Sequence, residues 1–231
     1  MLRFLPLLLL TLAGVASAAE RRLSINSFER VRVEGAFQVA IVTGRSPSAM
    51  VSGDAGALEQ VEVRVDGTTL VVRNRTEKWT AQRRSQTPLT VTLATPVLVG
   101  AHVLGGGALT VTGAKTQRLD LSVAGAGSIA VTGAEVEQAN ATVIGNGQIA
   151  LAGRAARARL MLNGAGKLDA DKLVAGDVTV RVDGAGEATA RARYTANVTN
   201  TGLGRIAVAG TPKCMVRSDA GGPVTCGLTP R

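Results

Sequence analysis

The sequence predicts an all-β solenoid, a chain wound as a parallel β-helix of about six coils of 18–20 residues, and three observations predict it. A Gly-x-Gly doublet opens at Gly105, Gly125, Gly145, Gly164, Gly184 and Gly202 with nearly constant spacing. Apolar residues occupy every second position on both sides of each doublet, which is the period of a strand and not of a helix. Aromatic residues make up only 2% of the 231 residues, so Val, Leu, Ile and Ala must fill a narrow interior.

The copies superimpose residue by residue. Leu119, Leu121 and Val123 precede Gly125, and Ile129 and Val131 follow it. Val99, Ala101 and Val103 hold the equivalent places before Gly105, as do Ala158, Leu160 and Leu162 before Gly164. Hairpins would reverse alternate copies, whereas parallel stacking keeps every doublet in one column, with coils about 4.8 Å apart. Each doublet then marks a corner, where a bend needs positive φ or close backbone approach. A phosphate cradle would need a helix after each glycine loop, and none is patterned here. A calcium-binding β-helix repeat would need an aspartate where Ala108, Leu109 and Thr110 follow Gly105–Gly107.

Residues 1–18 read as a secretory signal peptide: Arg3, an apolar run from Leu5 to Leu12, and the small-residue site Ala16-Ser17-Ala18. The mature chain is expected to start at Ala19. Residues 19–98 are expected to form an irregular N-terminal β subdomain or cap. Within it, Val31, Val33, Gly35, Phe37, Val39 and Ile41 read as a degenerate first coil. Val61–Val65 and Leu70–Val72 read as a hairpin turning at Asp66-Gly67, and Leu89, Val91 and Leu93 as a further strand. Residues 99–210 carry the coils. In 211–231, Cys214 and Cys226 are expected to pair in an oxidising compartment and pin a tail over the open end of the solenoid. With a single histidine and no Cys-x-x-Cys, neither a metal site nor a cofactor is expected.

The chain carries 26 Lys and Arg against 17 Asp and Glu, a formal charge of +9. Arg73, Arg75, Lys78, Arg83 and Arg84 gather around Trp79, the only tryptophan, and form a candidate contact for polyanions. A solvated loop is the plainer reading of the same segment. Nucleic acid is not expected as a partner of an exported protein with so little stacking surface. Asp169 and Asp171 point outward on one strand, at a separation that would suit a glycosidase carboxylate pair, but a surface ladder with Arg191 and Lys172 is the ordinary explanation. His102 and Ser122 share an outward column whose later members, Thr142, Met161, Arg181 and Thr199, provide no orienting acid for nucleophilic chemistry. Phe37 and Tyr194 are read as packing residues.

Three segments carry a family resemblance: Phe28-Glu29-Arg30-Val31-Arg32-Val33-Glu34-Gly35-Ala36-Phe37, Asp66-Gly67-Thr68-Thr69-Leu70, and Val123-Ala124-Gly125-Ala126-Gly127-Ser128-Ile129. In these the chain resembles bacterial exported proteins grouped as auto-transporter adhesins with a head GIN domain. The resemblance implies a right-handed β-helix and no catalytic residues. The expected function is a non-catalytic envelope or surface protein, periplasmic or extracellular, that binds anionic glycan, lipopolysaccharide or an envelope protein and can associate end to end. The alternative is a β-helix lyase or hydrolase acting on acidic polysaccharide through Asp169 and Asp171.

Overall fold

The computed structural model describes residues 19–75 and 89–227, so the expected signal peptide lies outside the described residues. The strands are β1 (Ala19–Leu23), β2 (Arg30–Glu34), β3 (Gln38–Thr43), β4 (Ser48–Gly53), β5 (Val61–Asp66), β6 (Thr69–Asn74), β7 (Thr90–Thr95), β8 (Gly100–Gly105) and β9 (Ala108–Thr112). They continue with β10 (Lys115–Gly125), β11 (Ser128–Gly145), β12 (Gln148–Asn163), β13 (Lys167–Asp183), β14 (Glu187–Asn200), β15 (Arg205–Gly210), β16 (Lys213–Ser218) and β17 (Val224–Cys226). One helical turn, α1 (Ala55–Leu58), lies between β4 and β5; the Asp54 carboxylate accepts a hydrogen bond from the Gly56 amide at 2.9 Å and starts it. The fold is a β-solenoid.

The alternation of the sequence becomes inward and outward columns. On the first face, Leu70, Val31, Ala101, Leu121, Ala141, Leu160, Val180 and Val198 lie in register and every one is buried. On the second, Val91, Val39, Leu109, Ile129, Ile149, Leu168, Ala188 and Ile206 do the same. A third face, made by the middle segments of β11 to β14, closes the coils behind them, with Ala134, Leu173, Ala175 and Ala192 turned inward. Burying one Val or Leu contributes about 1.5–3 kcal/mol, so these columns carry the stability of a fold almost without aromatics.

The glycine doublets form the corner between the first and second faces, and their two members are needed for different reasons. Gly125 has φ of +113°, the left-handed region that glycine adopts without strain. Gly147 has no room for a side chain: a Cβ there would lie 2.4 Å from Val123 Cγ1 and 2.7 Å from the Gly127 carbonyl oxygen. The ladder therefore runs through the bend, with the Asn146 amide donating to Gly125 O and the Gln148 amide to Gly127 O, both at 3.0 Å.

At the N-terminal end the coils are not stacked in chain order. The segment around Gly35 is a coil, as its pattern predicts, but β2 and β3 lie between β8–β9 on one side and β6–β7 on the other. The outermost coil is thus β6–β7, reached through the antiparallel β5–β6 hairpin, where Gly67 at φ +59° makes the turn expected at Asp66-Gly67. Strands β5, β4 and β1 then run antiparallel along this end, β4 on β7 and β1 on β4. In the β8 coil Leu98 is fully buried while Val99 is half-buried, a departure from the expected parity. The reason is local: this coil enters from the bend at Pro96 and not from a third-face strand.

The C-terminal residues differ from the expected lid. β16 pairs in parallel with β14, and β17 with β15, so the segment is a final coil in register. Cys214 stacks on Ala196 and Cys226 on Val208, both core positions, and the two cysteines form a disulfide with Cα atoms 6.3 Å apart. Val216 extends the column ending in Val198 but is 50% exposed, because no further coil covers it among the described residues.

Two stability predictions follow from this architecture. Gly147→Ala should lower the unfolding free energy by about 1–3 kcal/mol, the usual cost of overpacking, whereas Gly106→Ala, which meets nothing within 4 Å, should be nearly neutral in the same denaturant titration. Reducing the Cys214–Cys226 bond, which closes a loop of sequence separation 12, should cost up to about 3 kcal/mol, read as a lowered melting temperature reproduced by Cys226→Ser.

Candidate functional site

Outward positions decide what the solenoid presents. Asp169 and Asp171 border a recess of about 360 Å³ on the second face, together with Lys167, Thr189 and Thr225. Both carboxylates are engaged by neighbours. Thr189 Oγ1 and the Asp171 amide donate to Asp169 Oδ1 at 2.9 and 3.3 Å, and Arg191 Nη2 donates to Asp171 Oδ1 at 3.1 Å. Arg191 Nε also holds the Asp171 carbonyl oxygen at 2.9 Å. This is the ladder that the sequence offered as the alternative to a carboxylate pair.

His102 stacks between Arg32 and Ser122 on the first face, in the column that continues through Thr142, Met161, Arg181 and Thr199. No hydrogen bond joins His102 to Ser122 among the described residues, and Asp120 is occupied by Arg118 Nε at 3.0 Å and Asn140 Nδ2 at 2.6 Å. Burial first, then the positive charge of Arg32, push the His102 pKa below the usual histidine value; Asp120 pulls it upward, and Arg30 adds a smaller downward push. Among the described residues no group of three His, Cys, Asp or Glu is placed to hold a metal ion.

The basic segment is divided by the structure. Arg73 lies on β6 with its Nε 2.9 Å from Glu62 Oε2, and the Arg75 amide donates to the Gln60 carbonyl at 2.7 Å. Hydrogen bonding to Arg73 is the main cause that lowers the Glu62 pKa, with the Arg64 and Arg75 charges adding to it. Lys78, Trp79, Arg83 and Arg84 lie outside the described residues.

Register also exposes residues that sequence reasoning did not single out for binding. Arg157 and Arg159 on β12 and Arg181 on β13 project together from the first face, all exposed and without an acidic partner among the described residues. Asp177, which stacks on Arg157, accepts from Thr195 Oγ1 at 2.6 Å instead. The third face holds a further groove, of about 570 Å³, lined by Arg154, Ala156, Val174, Gly176, Arg193 and Tyr194. Phe37 is buried as expected, but Tyr194 is 66% exposed and is not a core residue. It lies on a stretch where the β13–β14 register shifts, which the alternating pattern does not reveal. The signal available in the sequence was parity alone, since Arg157, Arg159 and Arg181 all fall on outward positions.

The family described as "Putative auto-transporter adhesin, head GIN domain" matches residues 27–212. The chain belongs to this family. GIN-domain membership agrees with the resemblance carried by Phe28–Phe37, Asp66–Leu70 and Val123–Ile129. The solenoid is similar to the crystal structure of a "putative adhesin" from Bacteroides fragilis, with a TM-score of 0.83 at 21% identity over 91% of this chain and 97% of that one. A "putative lipid binding protein" from Parabacteroides distasonis has a TM-score of 0.72 at 17% identity over 91% and 97% of the two chains. A "putative adhesin" from the same organism has 0.68 at 18% identity over 90% and 96%. At these identities the likeness establishes the fold. No curated protein matches the chain. No helix among the described residues is long and apolar enough to cross a membrane.

The environment of His102 sets a pH dependence. The folded chain takes up the imidazole proton less readily than the unfolded chain, so the stability associated with neutral His102 is complete above the ordinary value of about 6.5 and declines as pH falls below it. Chemical denaturation at pH 7.5 and 5.5 should show this decline, and His102→Gln should remove the part contributed by the single histidine.

Proposed function

We propose that this GIN-domain protein is an exported, non-catalytic surface protein that binds anionic polymer of the cell envelope along its outer faces. Family membership and the disulfide support an adhesin-like protein of an oxidising compartment. One observation carries the choice of ligand: Arg157, Arg159 and Arg181 are exposed on one face and make no ion pair among the described residues, in a chain of formal charge +9. Strands about 4.8 Å apart hold these guanidinium groups on a rigid, nearly flat lattice, and a planar fork of donors suits carboxylate, sulfate and phosphate groups. Arg73 lies on β6 at the N-terminal end of the same face, and the sequence continues from Arg75 into the basic residues Lys78, Arg83 and Arg84 around Trp79. The engaged state of Asp169 and Asp171 supports binding over turnover.

Binding of the mature protein to immobilised lipopolysaccharide or polyuronate should weaken steeply as salt rises from 50 to 300 mM, about the range over which the screening length falls below 10 Å. Replacing Arg157, Arg159 and Arg181 together by Gln should weaken low-salt binding by about a hundredfold, taking about 1 kcal/mol per arginine near an anionic surface. Salt-independent binding, or a triple variant that binds like the native chain, would count against the reading.

A further inference from the structure

Tyr194 is the single tyrosine of the chain, and its ring is held outside the core by a specific arrangement. Its Cδ2 and Cε2 atoms approach Gly176 so closely that a Cβ on that glycine would stand 3.4 and 3.5 Å from them. The same Cβ would lie 2.7 Å from the Ala156 carbonyl oxygen. The missing side chain therefore lets successive coils stack at van der Waals distance and lets one edge of the ring settle on backbone, while most of the ring remains in solvent. An aromatic ring so placed costs hydrophobic free energy, and it is the kind of apolar platform that ligands cover.

The groove around this ring has the chemistry of a selective site. Arg154 and Arg193 line it, both exposed and with no ion pair among the described residues, while Ala155, Ala156 and Val174 form an apolar floor. Asp177, the acid in the groove, is already bonded by Thr195. A second groove of about 550 Å³ shares Arg154, Ala155 and Ala156 and continues across the coils past Thr116, Gln117, Glu137 and Glu135, the last paired with Lys115 at 3.0 Å. Each groove alone falls within the size of small-ligand sites, and together they make an elongated trough suited to a polymer.

We propose that this trough on the third face is a binding subsite for hexuronic acid residues of an acidic polysaccharide, with Tyr194 stacking on the C–H face of the sugar and Arg154 and Arg193 pairing with its carboxylates. The assignment rests on the polyanion reading above and adds to it a site and a ligand class. A bare phosphate polymer uses the arginines but gains nothing from the ring, and a neutral glycan uses the ring but leaves two guanidinium groups uncompensated. A uronate satisfies both. Glu137 adds acceptors for sugar hydroxyls at the far end of the trough.

Because Tyr194 is the only tyrosine, full mature protein carrying isotope-labelled tyrosine reports this site alone. Oligogalacturonate should shift the tyrosine ring resonances saturably, whereas a neutral maltooligosaccharide of equal length and inorganic polyphosphate, each meeting half of the site, should give much smaller shifts at the same concentration. In direct binding measurements Tyr194→Ala should weaken oligogalacturonate about tenfold, the size of one stacking contact, and Tyr194→Phe should preserve affinity within about twofold. Arg154→Gln combined with Arg193→Gln should abolish the saturable ring shift with oligogalacturonate while leaving the binding carried by Arg157, Arg159 and Arg181. If oligogalacturonate binds without moving the ring signals and Tyr194→Ala binds as tightly as the native chain, the trough is overturned while the polyanion reading stands. Equal ring shifts with polyphosphate would overturn the uronate assignment. If the native chain binds no anionic polymer at low salt, both readings fall.

Discussion

The constraint on which the rest of this molecule depends is the direct backbone contact between successive coils at the glycine corner. Gly125 lies on Gly105, and Gly145 on Gly125, closely enough that a Cβ on either upper residue would come within 3.0 Å of the carbonyl oxygen below. That contact keeps the ladder unbroken through a bend, and an unbroken ladder fixes register on both adjoining faces. A slip of one residue would turn every Val and Leu of a coil to solvent. The strict spacing of the doublets is therefore the means by which a core of small aliphatic residues remains sealed.

The ends of the stack are treated differently. At the N-terminal end β5, β4 and β1 run against the direction of the coils and α1 tucks Leu58 against them, so the hydrophobic columns end under a protein cap. At the C-terminal end a disulfide joins two core positions of the last coil. A covalent link suits this end because, among the described residues, its terminal strands have neighbours on one side alone, and partial pairing gives partial stability. Asn200, which takes the column position of Val182 beneath it, is fully buried and bonds Gly204 O and the Gly202 amide, so a polar side chain replaces part of the corner geometry there.

A solenoid turns a short repeat into extended surfaces, and charge placement gives each surface its character. The second face is largely Ala and Thr in its central column, with Asp169, Asp171 and Glu187 held by Thr189, Arg191 and Lys167. On the first face Arg157, Arg159 and Arg181 make no ion pair among the described residues, and the third carries an aromatic ring between two more arginines. Rigidity matters to such surfaces because groups fixed by the ladder need little ordering on binding, and the saved entropy strengthens contacts with a flexible polymer.

Much of the fold was legible in the residues themselves. The period of the doublets, the alternation around them and the Asp66-Gly67 turn are local signals, and each corresponds to a local physical need: a bend, an inside and an outside, a reversal. The cysteine pair was equally plain, because two thiols near the end of one chain have no other partner. By itself, then, the sequence determined the repeat, the inward columns and the cross-link. The tertiary structure alone decided the stacking order of β6–β7, β2–β3 and β8–β9, since parallel coils with the same apolar pattern fit any neighbour and chain connectivity chooses among them. It alone also decided that Asp171 is spent on Arg191 while Arg157, Arg159 and Arg181 find no ion pair among the described residues, and that Tyr194 stands in solvent over Gly176. Pairing and exposure depend on which side chains meet across coils some twenty residues apart, and a pattern of apolar spacing carries no information about that.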